Sequence, residues 1–242
     1  MIRSGPIRVK VFPMQAVIPP ELKIDVSVQP LVLSDATLSR ADGAVVLLEK
    51  KAGQDQAVDK LPQAALWRKL LRSQQRSGQA SPILVTRLPN RSQTLVAVGF
   101  VQPGATGFER LDLAGKLARE VVKPGVVALQ CHAAAFDAGE AALVVEALAS
   151  AALAAAASMP QRKARPTPPS DLRTIDAHGG RAADLERAAA IAAGNHLARW
   201  LTTLPPNELD CVAYRKALQQ LARREGWTFR FYDEHALGRL GA

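Results

Sequence analysis

The sequence predicts an α/β fold in which strands alternate with helices, and three observations carry that expectation. Short apolar runs such as Ala44 to Leu48 contain no polar residue, the pattern of a strand covered on both faces. Other stretches repeat apolar residues every third or fourth position, the spacing of one helix face. Pro- and Gly-containing turns such as Pro89-Asn90 and Pro124-Gly125 separate the segments.

In chain order, Ile7 to Phe12 alternates apolar and basic residues, and Leu22, Ile24, Val26 and Val28 alternate again, which predicts two strands with one buried face. Ala44 to Leu48 is the doubly covered strand. Leu61 to Leu71 has Leu66, Trp67 and Leu70 at helical spacing. Ile83 to Leu88 and Thr94 to Val101 read as strands joined through the turn Pro89-Asn90-Arg91-Ser92. Thr106 and Glu109 have the spacing of a capping box, followed by a helix with Leu111, Ala114, Leu117, Ala118 and Val121 inward and stopped by Pro124-Gly125. Val126 to Cys131 is a further buried strand. Asp137 caps a helix running through Leu143, Ala147, Leu148 and Ala151 to about Ser158.

Pro160 to Ser170 has four prolines and three basic residues, the composition of an exposed, semi-extended linker. Leu172 to Ile175 forms a short strand before Gly179-Gly180. Ala183 to Leu204 is then a helix with Leu185, Ala189, Ala193, Leu197, Leu201 and Leu204 on one face and Trp200 beside them. Ala188, Ala189, Ala192, Ala193 and Gly194 keep its middle narrow, and Pro205-Pro206 ends it. Asp210 caps a helix with Val212, Ala213, Ala217, Leu218 and Leu221 inward, and Gly226 terminates it. Trp227, Phe229 and Phe231 alternate as a strand, and Asp233 starts another turn or helix.

With 242 residues and 48% hydrophobic content, the chain suffices for one large domain, or one domain plus part of another. Lys and Arg number 31 against 22 Asp and Glu, a net charge of +9 that favours anionic partners without specifying one. Cys131 and Cys211 are far apart, and His132, His178, His196 and His235 are equally dispersed, so neither type has metal-ligand or redox spacing. The first residues have no apolar core of export-signal length. Ala141 to Met159 is nearly all apolar, but its alanine content and Glu146 predict a buried helix rather than a membrane span. No G-x-G-x-x-G, phosphate-cradling G-x-x-x-x-G-K-[ST] or G-x-S-x-G sequence occurs.

Asn195, Leu197, Ala198 and Arg199, followed by Leu204, Pro205, Pro206 and Asn207, resemble the domain-joining helix of the leucine aminopeptidases, with His196 interrupting the start of the run. The order after it, helix, Gly, strand, acidic turn and short helix, is similar too. The resemblance implies a macro-like α/β domain over 1–160, a linker over 161–182, an interdomain helix over 183–204 and the truncated beginning of an aminopeptidase domain over 205–242. It implies a cytoplasmic, hexameric hydrolase that removes N-terminal amino acids from peptides with two divalent ions, zinc or manganese. The family's ligand segments resemble V-G-K-G-x-T-F-D-S-G-G and N-T-D-A-E-G-R, and neither occurs here. No residue of this chain is therefore assigned a catalytic, cofactor-binding or metal-binding role. The chain alone is expected to bind no metal, to be inactive, and to act architecturally or in oligomerisation. The alternative is a stand-alone module for nucleic acid or another acidic partner, through Arg162, Lys163 and Arg165 and through Arg3, Arg8 and Lys10. Weak DNA binding, found in some members, belongs to that alternative, and no membrane association is expected.

Overall fold

The computed structural model describes residues 17–50, 57–76, 83–161 and 165–241. The strand expected at Ile7 to Phe12, and Arg3, Arg8, Lys10, Arg162 and Lys163, lie outside the described residues. The chain divides into two compact units, one of residues 21–158 and 167–196, the other of 1–20, 159–166 and 197–242.

The larger unit is built on a six-stranded sheet. Its strands are β1 (Asp25–Gln29), β2 (Gly43–Glu49), β3 (Ile83–Arg87), β4 (Leu95–Val101), β5 (Ala128–Ala134) and β6 (Thr174–His178), in the spatial order β1-β6-β5-β2-β4-β3. All neighbours are parallel except β3 and β4, which form the expected hairpin and pair antiparallel from Ile83↔Gly99 to Arg87↔Leu95. Flanked by β4 and β5, every residue of β2 is buried, which is why its sequence carries no alternation.

One face of the sheet presents Val45, Leu47, Ala97, Leu129, Cys131, Ile175 and Ala177 to α3 (Gly107–Val121) and α4 (Ala138–Ala156). Both parts of the capping box at the start of α3 form: Glu109 N donates to Thr106 Oγ1 at 3.2 Å, and Thr106 N donates to Glu109 Oε2 at 2.8 Å. These two bonds hold the Glu109 carboxyl below the usual carboxylate range, the one from the Thr106 backbone most. Asp137 caps α4 by accepting from Glu140 N at 2.9 Å. By length and composition α4 is apolar enough to cross a membrane, yet ten of its residues, from Ala141 to Ala156, are buried in this core. Leu111 and Leu143 depart from the expected faces: they are about half exposed, and Leu113 turns inward on α3 instead.

The opposite face is apolar over β2 and β4, where Ala44, Val46, Leu48, Val96 and Val98 meet Leu38 of α1 (Asp35–Leu38) and Trp67 and Leu71 of α2 (Ala64–Arg76). The Trp67 indole N–H is satisfied by the Pro62 carbonyl at 2.9 Å, so burial of this ring leaves no orphaned donor. Two glycines let α3 lie close on the sheet. A Cβ at Gly43 would stand 2.4 Å from Val121 Cγ1, and one at Gly99 would meet Leu113 and Leu117 at 3.1 Å.

The expected long helix is present as α5 (Ala182–Thr203), with residues 182–196 in the larger unit. Its buried side is Leu185, Ala188, His196, Trp200 and Leu204, with Ala189, Ala192, Leu197 and Leu201 partly buried. Ala193, expected on that face, is exposed, because the stripe drifts one position around the helix between Ala189 and Ala192.

In the smaller unit, α6 (Cys211–Glu225) starts at the Asp210 cap, which accepts from Ala213 N at 2.7 Å, and ends at Gly226 with φ 70°. Ala217, Leu221 and Ala222 are its buried residues, whereas Val212, expected inward, is half exposed. Residues 227–233 form no strand, contrary to the alternation of Trp227, Phe229 and Phe231: among the described residues no neighbouring strand lies beside them to complete a ladder. Asp233 caps α7 (Glu234–Arg239), accepting from Ala236 N at 2.8 Å.

Candidate functional site

The second face of the sheet changes character across its width. Over β1, β6 and β5 it is polar, because each strand places alternate residues on one side. Cross-strand register puts Gln29 beside His178 and His178 beside His132, and one step back Ser27 beside Asp176 and Asp176 beside Gln130. Hydrogen bonds tie this grid together: Ser27 Oγ donates to Asp176 Oδ1 at 2.8 Å, and Gln29 Nε2 donates to Ser27 Oγ at 3.0 Å.

Its deepest members are His132 and His178, both buried, with ring centroids 4.1 Å apart and planes within 18°. Gln130 Nε2 donates to the Thr37 carbonyl at 2.9 Å, which turns Gln130 Oε1 toward His132 Nε2 at 3.1 Å. An amide oxygen accepts only, so His132 carries its proton on Nε2. The Pro30 carbonyl, 2.9 Å from His178 Nδ1, places the proton of His178 on that nitrogen by the same reasoning. His132 Nδ1 and His178 Nε2 are left as bare acceptors, buried and without a hydrogen-bond partner among the described residues. Burial above all, and the neighbouring His178, push the pKa of His132 down to about 3.

Such a pair resists protonation but does not make a metal centre. A metal ion lies in the plane of each imidazole that binds it, and two nearly parallel planes share no such point nearby. No group of three or more His, Cys, Asp or Glu able to hold a metal occurs among the described residues. The residues described here do not fit a two-metal centre, and no chemical step is derived through one. Cys131 is no nucleophile either: complete burial, helped by the charge of Asp176, drives its thiol pKa far upward. Dispersed in sequence, His132 and His178 are brought together by the fold, while His196 binds the Ser158 carbonyl at 2.7 Å and His235 lies on α7. One signal did exist in the chain, Gln130 and His132 interrupting a buried apolar strand two residues apart.

The stretch quoted from the joining helix adopts the expected local form. α5 stops at Thr203, and beyond Pro205 the N–H groups of Glu208 and Leu209 both return to the Pro205 carbonyl, at 2.9 and 3.0 Å, leading into the Asp210 cap.

The sequence matches no protein-family model and no curated protein sequence. Solved structures do match. A tomato leucine aminopeptidase mutant superposes with a TM-score of 0.63 at 14% identity, covering 86% of this chain and 44% of that one. The bottromycin maturation enzyme BotP in complex with Mn gives 0.58 at 21% identity, covering 83% and 40%. Leucyl aminopeptidase from Leishmania major in complex with actinonin gives 0.51 at 17%, covering 84% and 40%. The chain thus spans about two fifths of the length of the solved structures it matches. Its mixed sheet flanked by helices is the fold of the N-terminal domain of the leucine aminopeptidases.

Proposed function

We propose that this chain is the N-terminal portion of a leucyl-aminopeptidase-like metallo-exopeptidase that removes N-terminal residues from peptides, and that its own role is architectural. The observation that carries the reading is the joining helix: α5 ends in Leu204-Pro205-Pro206-Asn207 within a fold that matches aminopeptidases over most of its length. On this reading 1–160 is the macro-like domain, 161–182 the linker, 183–204 the connection and 205–242 the start of the catalytic domain. Two divalent ions, zinc or manganese, belong to the whole enzyme and not to these residues. The whole enzyme works in the cytoplasm as a hexamer, and this portion positions subunits and narrows access to the active site. The experiment is peptidase turnover of a leucyl chromogenic amide by the purified chain with added Mn or Zn, alongside its mass in solution. No turnover is expected, with self-association into a defined oligomer. Turnover contradicts the inactive, architectural reading, and a strictly monomeric chain removes the oligomerisation role.

A further inference from the structure

The outward face of α2 carries charge of one sign only. Arg68, Lys69, Arg72 and Arg76 are all exposed, and α2 contains no acidic residue. At 100° per residue these four side chains, with Ala65 and Ser73, fall within an arc of about 140°, and from Arg68 to Arg76 they extend about 12 Å along the axis. The inward face is fixed independently by buried Trp67 and Leu71, so the helix has no freedom to roll its cations elsewhere. A surface cavity of about 450 Å³ opens against this face, lined among the described residues by Ala65, Arg68, Lys69, Arg72, Ser73 and Arg76. Arg68 is engaged: its Nε meets Asp59 Oδ1 at 2.5 Å. Lys69, Arg72 and Arg76 have no ion-pair partner among the described residues.

A surface that charge merely keeps in water mixes both signs. Here one sign is concentrated on a single rigid helix face. The face holds no aromatic residue and no apolar side chain larger than Ala65, which removes the anchors that a protein interface, a membrane surface or the stacked bases of a single strand require. What a row of arginines without such anchors fits is a row of phosphates, each able to accept two hydrogen bonds from a guanidinium fork. We propose that the outward face of α2 is a sequence-independent docking surface for the phosphodiester backbone of double-stranded nucleic acid, with Lys69, Arg72 and Arg76 as its contacts. This surface stands apart from the linker and N-terminal basic residues singled out in the sequence, and it does not rest on the peptidase reading.

The test is binding of the full chain to a fluorescent DNA duplex of mixed sequence, followed as salt rises. Three phosphate contacts give a slope of log K against log salt near −2.7, or about 40-fold weaker binding between about 50 and 200 mM. The variant Lys69→Gln/Arg72→Gln/Arg76→Gln should lose that binding and its salt dependence. Arg72→Lys/Arg76→Lys, which keeps the charges, should retain the slope. Lys116→Gln/Arg119→Gln/Lys123→Gln on α3 removes the same net charge from another helix and should bind like the parent. Unchanged thermal unfolding of the α2 variant separates lost contacts from lost fold. The proposal is overturned if the α3 variant loses as much as the α2 variant, if single strands bind more tightly than duplex, if polyglutamate competes as well as duplex, or if no binding occurs at the lowest salt.

Discussion

His132 and His178 stack face to face at 4.1 Å in the interior of the sheet, each donating its one proton away from the other, to Gln130 and to Pro30. The arrangement holds only while His132 is neutral. With its folded pKa at about 3, below the unfolded value of about 6.5, the unfolded chain binds the proton first as pH falls. The stability tied to His132 is therefore complete above about pH 6.5 and declines below it by about 1.4 kcal/mol per pH unit. Denaturant unfolding at about pH 7 and pH 5 should show a loss of about 2 kcal/mol that His132→Phe reduces. Equal losses in both proteins count against the neutral pair.

Gly43 faces the start of the close approach between β2 and α3. Gly43→Ala places a methyl 2.4 Å from Val121 Cγ1, and Val121 is β-branched and fully buried, so it has no rotamer to yield into. The expected cost is about 1–3 kcal/mol. Adding Val121→Ala should recover part of it, and additive losses in the double variant would show that the two atoms do not compete for the same space.

The cap on α4 is open to a single atom-level check. Asp137→Ala removes the acceptor of the Glu140 N–H and should lower stability by about 1 kcal/mol, whereas Asp137→Ser should keep most of it. Equal denaturation midpoints for all three proteins would assign the cap no weight.

In the smaller unit Trp227, Phe231 and Leu240 are more than half exposed, with Arg215 stacked 4.6 Å over the Phe231 ring. Such a density of apolar surface should bind a hydrophobic dye in the folded state. Trp227→Ser/Phe231→Ser/Leu240→Ser should abolish most of the fluorescence gain, and an unchanged signal would place the dye elsewhere.

Much of the architecture was legible because it is written in local chemistry. The box at Thr106 and Glu109, the caps at Asp137, Asp210 and Asp233, and the left-handed Gly226 each have a short-range cause. The uninterrupted apolar run of β2 announced its two parallel neighbours. What failed was partner-dependent. Trp227 to Phe231 alternates like a strand but has no strand beside it among the described residues, and Leu111 and Leu143 follow helical spacing on sides that nothing described covers. The His132 and His178 pair was invisible because 45 intervening residues hide a register that only the sheet creates. The basic side of α2 was overlooked for a different reason: attention to the apolar period passes over the charges standing between its beats.

β1 has one neighbour in the sheet, β6, and the bond from Ser27 to Asp176 closes a loop of 149 residues. A strand made early on the ribosome therefore waits through most of synthesis before its mate emerges. Its Val28 and the adjoining Leu31 and Val32 remain open to water even in the finished fold, so during that wait they are the surface most in need of a chaperone's shelter.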